Sequence, residues 1–162
     1  MPSKQPLFCA QINLSQLPEG LVQDAPAFEV KLLAHKLSAG FPSPAGDYAE
    51  NGLDLNGYLI KNKPATFMFT VQGDSMIGAC IESGDKVVVD RALKPKHNDI
   101  VVAVVDSEYT IKRLYKRPGY IELRPENPAY QPMTFLEDSD LQVWGVVVGV
   151  VRRYSSRNGN GQ

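Results

Sequence analysis

Residues 100–124 read IVVAVVDSEYTIKRLYKRPGYIELR, and this stretch decides the fold. It contains three short runs of β-favouring residues, and the turn signal Arg117-Pro118-Gly119 separates the last two. Similar runs recur on both sides of it, and the six candidate strands are 66–71, 86–90, 100–105, 108–116, 120–124 and 141–153. Because no long helices intervene, the sequence predicts a mostly β domain, built as a compact barrel or sandwich.

The first 44 residues differ in composition and pattern, with six prolines and no sustained hydrophobic periodicity. Apolar spacing favours a short helix over 27–37 and a helical turn over 54–62. Too few residues remain before the strands for an independent domain, so we expect a flexible N-terminal arm. The Ser-, Arg-, Asn- and Gly-rich end of the chain is predicted to be a disordered tail.

Composition limits the classes of function. A chain of 162 residues with 43% hydrophobic residues can bury one sizeable core. The net charge is −1 and no basic stripe is visible, so direct sequence-specific DNA binding is not expected. Two cysteines, Cys9 and Cys80, suit a reducing cytosol, and Cys80 is predicted to be a small buried apolar residue. No secretory signal or bilayer-spanning stretch is visible, so we expect a cytoplasmic protein without a membrane partner.

The residues that suggest chemistry are Gly73-Asp74-Ser75-Met76 and, 37 positions after the serine, Lys112. A serine hydroxyl is a poor nucleophile unless a base removes its proton. Lysine can be that base only when it is neutral, which requires burial to lower its pKa from about 10.4. Gly73 allows a tight turn, so the backbone N–H groups of Asp74 and Ser75 are the candidate oxyanion donors.

Each of these motifs also has a purely structural interpretation. Gly-Asp-Ser is common in turns, and a lysine on a strand is usually a solvated edge charge. Upstream, Ala39-Gly40 is a candidate scissile bond, because small residues let the backbone approach a nucleophile closely. Pro42 and Pro44 keep the flanking chain out of a helix, although the same segment also suits a stiff linker. The catalytic interpretation depends on the combination.

Eight motifs, in this order and spacing, carry a resemblance to a known family. They are Ala39-Gly40-Phe41-Pro42-Ser43-Pro44-Ala45 with Asp47-Tyr48, Asp54-Leu55-Asn56, Gly73-Asp74-Ser75-Met76, Ser83-Gly84-Asp85, Asp99-Ile100-Val101, Thr110-Ile111-Lys112-Arg113-Leu114, Arg124-Pro125-Glu126-Asn127-Pro128-Ala129-Tyr130 and Val143-Trp144-Gly145-Val146-Val147. Over about residues 38–153 the chain resembles the LexA/UmuD family of self-cleaving serine peptidases. The likeness is greatest to its UmuD branch, which acts in SOS mutagenesis.

The resemblance implies a division of the chain into an arm at 1–39, a mostly β Ser-Lys peptidase domain at 40–153 and a tail at 154–162. It implies that Ser75 is the nucleophile, Lys112 the general base and Ala39–Gly40 the bond cleaved. The RecA–single-stranded DNA filament would act as co-protease after DNA damage. The cleaved form would be a homodimer that serves an error-prone Y-family (UmuC-type) polymerase in translesion synthesis. No cofactor or metal is expected.

Four other functions share parts of this pattern. A LexA- or phage-type repressor would need a helix-turn-helix, for which the 39 proline-interrupted residues are too few. A signal peptidase would need a membrane anchor. A Ser-His-Asp hydrolase using His97 would need G-x-S-x-G, whereas Ile77 stands at the second glycine position. A non-enzymatic β module that binds a polymerase stays compatible with the leading hypothesis.

Overall fold

The computed structural model of the chain describes residues 29–33, 39, 49–136 and 141–154. Its strands are β1 (Glu29–Leu33), β2 (Ala49–Asp54), β3 (Thr66–Thr70), β4 (Lys86–Asp90), β5 (Ile100–Val105), β6 (Glu108–Arg117), β7 (Tyr120–Arg124), β8 (Met133–Leu136) and β9 (Gln142–Val151). Its helical elements are α1 (Leu55–Leu59) and two 3₁₀ turns, Lys63–Ala65 and Ile77–Ala79. The mostly β prediction is confirmed.

Seven of the strands form one antiparallel sheet in the order β3-β4-β9-β5-β6-β7-β8. All six predicted strands are present within this sheet, and β4, β5 and β7 have the predicted bounds. β8 was not predicted, because four residues with only one half-buried side chain give little hydrophobic alternation. The sheet order leaves β3 and β8 at the edges.

Two apolar clusters hold the sheet together. In the first, the ring of Trp144 meets those of Phe67 and Phe69 edge-on at centroid distances of 5.2 and 4.9 Å. The members of the second are Val101, Ala103, Leu114, Leu123 and Val146. Val71 and Met76 belong to the first cluster, so the core fixes both ends of the turn that carries Ser75.

The helix predicted over 27–37 is wrong, because Glu29–Leu33 is strand β1. It pairs with β2 in a separate antiparallel two-stranded sheet, from Glu29 opposite Asp54 to Leu33 opposite Ala49. Backbone pairing with a strand distant in sequence has outweighed the local helical spacing. The helical turn predicted over 54–62 is present as α1, and the side chain of Asp54 caps it by accepting from two backbone N–H groups.

The prediction for Cys80 is also wrong, because this side chain is exposed. Cys80 ends the second 3₁₀ turn in a left-handed conformation, with φ at 59°. Met76 and Ile81, 1% and 2% exposed, take the core positions on either side of this turn. The predictions for Cys9, for the arm before Glu29 and for the tail after Tyr154 concern residues outside those described.

Candidate active site

Ser75 lies in the turn between β3 and the second 3₁₀ turn, and its side chain is half-buried. The turn requires Gly73, whose φ of 92° is in the left-handed region that side chains disfavour. Met76 is 1% exposed and anchors the turn in the first apolar cluster. The hydroxyl is therefore carried on a short segment with fixed ends.

A second loop, residues 125–130, holds this turn from outside and is called the clamp loop below. The backbone N–H of Glu126 donates to the carbonyl of Ser75 at 2.8 Å. The backbone N–H of Gly78 donates in turn to the carbonyl of Glu126 at 2.7 Å. The Glu126 carboxylate forms an ion pair with Arg113 on β6, so the clamp loop is also tied to the strand that carries Lys112.

Asp74, the residue before the serine, is held by two side chains of the clamp loop. The Asn127 side-chain amide donates to the Asp74 carbonyl at 3.0 Å, and the Tyr130 hydroxyl donates to the Asp74 carboxylate. The bond to Asp74 raises the pKa of the Tyr130 hydroxyl, because the phenol proton is shared with an anion. Sequence analysis placed this loop within the motif at 124–130 but gave it no role in the site.

Lys112 lies on β6 opposite Val101 of β5, and its side chain is 7% exposed. Its Nζ atom is 3.0 Å from the Ser75 Oγ, 3.0 Å from the Thr110 Oγ1 and 2.9 Å from the Ile111 carbonyl oxygen. Burial lowers the pKa of the Lys112 amine below its ordinary value of 10.5, since the charged form loses hydration. Folding thus brings the two predicted side chains within hydrogen-bond distance.

These three contacts suit a neutral amine as well as a charged one. A neutral lysine has two N–H bonds, which Thr110 and the Ile111 carbonyl can accept. Its lone pair then faces the Ser75 hydroxyl and can accept the hydroxyl proton. This is the geometry that general-base catalysis requires, at a heavy-atom distance of 3.0 Å. Thr110, which sequence reasoning did not identify, belongs to this network.

Ser75 and Lys112 line a cleft of about 300 Å³. Apolar side chains line much of its remaining wall, among them Phe69, Val87 and Val102. Edge strand β3 borders the cleft through Phe69 and Thr70. A strand at a sheet edge has unpaired backbone groups, which can pair with an extended peptide.

The other predicted site residues lie as follows. None of the hydrogen bonds formed among the described residues uses the backbone N–H of Asp74 or Ser75. Ala39 is an exposed bend, and Gly40 lies outside the described residues. His97 is an exposed turn residue whose Nδ1 accepts from the backbone N–H of Lys116 at 3.0 Å. The described part of the chain has no group of three His, Cys, Asp or Glu side chains suited to a metal, and no helix able to span a membrane.

Residues 31–148, which include both side chains of the 3.0 Å contact, match the family model described as Peptidase S24-like. The chain belongs to this family. Membership implies a serine peptidase of the LexA/UmuD type, which agrees with a half-buried serine beside a buried lysine.

Relatives within the S24-like family support a more specific placement. Protein ImpA of Salmonella typhimurium is 46% identical over 123 residues, which cover 75% of this chain and 83% of ImpA. Protein SamA of Salmonella typhimurium strain LT2 is 47% identical over 125 residues, covering 77% and 86%. The LexA repressor of Syntrophotalea carbinolica is 47% identical over 90 residues, but these cover only 56% of this chain and 45% of the repressor. The chain is a UmuD-like member of the LexA/UmuD family.

Proposed function

We propose that this chain is a self-cleaving serine peptidase in which Ser75 and Lys112 form the catalytic dyad. The observation that carries the proposal is the 3.0 Å contact between the Ser75 Oγ and the Lys112 Nζ, made by an amine whose pKa burial lowers. An uncharged amine in this position can take the serine proton at the moment of attack.

The reaction has two steps. The Ser75 oxygen attacks the Ala39 carbonyl carbon while its proton passes to the Lys112 amine. The C–N bond to Gly40 then breaks, Lys112 returns the proton to the leaving nitrogen, and an ester joins Ala39 to Ser75. Water, deprotonated by Lys112, hydrolyses that ester and regenerates the serine hydroxyl. The N–H groups of Asp74 and Ser75, which have no hydrogen-bond partner among the residues that the structure describes, are the proposed donors to the oxyanion.

The surroundings of the proposed cleavage site support this assignment. Ala39 is exposed and lies in the segment 34–48, which joins two antiparallel strands, β1 and β2. We propose that this connection carries the Ala39–Gly40 bond into the cleft of Ser75 and Lys112. Small residues such as Ala39 and Gly40 let a backbone approach a nucleophile closely, and edge strand β3 can pair with an extended chain.

The biological setting follows from the family. The arm at 1–39 would be released, the domain at 40–153 would remain with the tail at 154–162, and the product would act as a homodimer. We propose that the RecA–single-stranded DNA filament stimulates the cut. The shortened form would then serve an error-prone Y-family (UmuC-type) polymerase in translesion synthesis, in the cytoplasm, as part of the SOS response. Membership in the UmuD-like group supports each of these proposals.

Intact-mass measurement of the purified chain with and without the activated RecA filament tests the proposal. The expected result is a pair of fragments, 1–39 and 40–162, that appears faster with the filament. Ser75→Ala and Lys112→Ala should each stay intact, whereas His97→Ala should cleave normally. Cleavage of the Ser75→Ala chain in isolation, or fragments that meet at another bond, would contradict it.

A further inference from the structure

The fold assembles a cluster of exposed cations that the sequence keeps apart. Two of them, Lys94 and Lys96, lie in the loop between β4 and β5, and two others, Lys116 and Arg117, lie at the end of β6. We call these four residues, with His97, the basic patch; all five side chains are exposed. The patch lies outside the cleft of Ser75 and Lys112.

Direct contacts join the two halves of the patch. The Lys116 Nζ donates to the Pro95 carbonyl at 3.2 Å, and the Lys116 backbone N–H donates to the His97 ring at 3.0 Å. The His97 ring also packs edge-on against Tyr115, with ring centroids 4.3 Å apart. The fold therefore holds the loop that carries Lys94 and Lys96 against the end of β6.

Ion pairs within the part of the chain that the structure describes do not neutralise the cations of the patch. None of the ion pairs among the described residues involves its cations. The Asp99 carboxylate lies at the end of the loop, but it accepts from the backbone N–H of Lys96 at 2.7 Å and leaves the Lys96 amine free. In a chain of net charge −1, four clustered cations form a local field that attracts an anionic polymer.

The aromatic rings beside Arg117 indicate which kind of anionic polymer the patch suits. The Arg117 guanidinium lies over the Tyr115 ring, 4.6 Å from its centroid, and donates to the Tyr115 hydroxyl at 2.8 Å. Tyr120 is exposed and directly opposite Arg117 in the β6–β7 pair, so the two side chains share a face of the sheet. An exposed aromatic ring beside cationic side chains is the combination on which unpaired bases stack.

We propose that the basic patch binds single-stranded nucleic acid, with its four cations on the phosphates and Tyr120 under a base. The preference for a single strand follows from Tyr120, because bases in a duplex are already stacked on each other. This inference goes beyond the proposed self-cleavage and does not depend on it, so either can fail without the other.

Fluorescence anisotropy of the full chain with labelled oligothymidine and oligouridine tests the patch. Four phosphate contacts predict a salt slope of about −2.8, so binding should weaken about fiftyfold between 50 and 200 mM salt. Binding of either strand supports the proposal, and the tighter one identifies the source as DNA or RNA. Absence of binding at low salt would overturn it.

Two double variants that each remove two positive charges distinguish binding at the basic patch from a general effect of net charge. Lys94→Gln/Lys96→Gln removes two side chains that have no recorded contact among the described residues, and should weaken binding about 25-fold at 0.1 M salt. The control is Lys86→Gln/Arg153→Gln, because Lys86 lies three strands from β6 and contacts Thr70 on β3. Its binding should change less than about twofold. Equal losses in the two double variants would contradict the assignment.

Two further comparisons test the kind of partner. Tyr120→Ala should weaken single-strand binding about fivefold or more, and should leave the weaker binding of a duplex of equal length unchanged. If polyglutamate competes as well as oligothymidine at equal charge, the patch is a site for an acidic protein and the proposal is wrong.

Discussion

Gly78→Ala tests whether the clamp loop positions the catalytic serine. A Cβ atom at Gly78 would lie 2.5 Å from the Glu126 carbonyl oxygen, about 0.9 Å inside the 3.4 Å at which ordinary contact begins. The obstacle is backbone, so it cannot move aside as a flexible side chain can. The same Glu126 donates its N–H to the Ser75 carbonyl, and any shift of the clamp loop therefore reaches the nucleophile.

The expected losses of stability and of cleavage rate follow from this steric overlap. Forced overpacking of this kind costs about 1–3 kcal/mol of unfolding free energy. Misplacement of a reacting group by about 1 Å lowers a rate on the order of a hundredfold. We therefore expect Gly78→Ala to remain folded at 25 °C but to cleave itself about a hundred times more slowly than the parent chain.

The assay is a time course of intact mass under activating conditions, together with urea unfolding of each protein. Gly149→Ala is the matched control, because its Cβ would meet the movable end of the Leu59 side chain at 2.9 Å. It should cleave at close to the parent rate. If folded Gly78→Ala also cleaves at the parent rate, the clamp loop does not position Ser75 and this reasoning is refuted.

Three other perturbations have defined outcomes. Ala39→Asp should stop self-cleavage in an intact-mass assay, because a charged side chain would have to enter a confined cleft beside Phe69, Val87 and Val102; processing at the parent rate would mean that the bond is misplaced. Hydrogen bonds from Arg152 lower the pKa of Asp85 from 3.8 to about 2. Between these two pH values the unfolded chain binds more protons than the folded chain, so the free energy of unfolding falls as the pH drops through this range. In urea unfolding, Asp85→Asn should be less stable at pH 7 and lose that part of the acid sensitivity, and an unchanged pH profile would contradict the pairing. Leu114→Ala, which truncates a side chain that is 0% exposed, should lose about 2–5 kcal/mol of unfolding free energy, and a loss below about 1 kcal/mol would show that the core there can collapse.

The hydrophobic pattern of the sequence predicted the strands of the large sheet well, because the central strands of that sheet are buried. β5 contains Val101, Val102 and Ala103, all at most 3% exposed, and such a run is hard to accommodate outside a core. The pattern failed at β8, which has only one half-buried side chain, and at β1, where pairing with β2 decides the conformation. It failed again at Cys80, which ends a 3₁₀ turn in a left-handed conformation. Its side chain is exposed, and that of the next residue, Ile81, faces the core instead.

The candidate site also has a part that the sequence predicts and a part that it does not. Ser75 and Lys112 could be singled out because nucleophile and base chemistry demand particular residue types in particular settings. The contact of the clamp loop with the site could not be predicted, since it joins the backbone of Glu126 to that of Ser75, 51 positions away, and backbone groups leave no signature in a sequence. The basic patch was invisible for a related reason, because two pairs of cations some twenty positions apart meet only after folding.

The central claim is that Lys112 accepts the serine proton as a neutral amine. The most direct test follows the Lys112 side chain by ¹³C NMR against pH in Ser75→Ala, and compares that titration with the cleavage rate of the parent chain. We predict that the Lys112 pKa lies below 10.5 and that the rate rises with pH through the same midpoint. A lysine that titrates at its ordinary pKa, with a cleavage rate whose midpoint lies elsewhere, would contradict it.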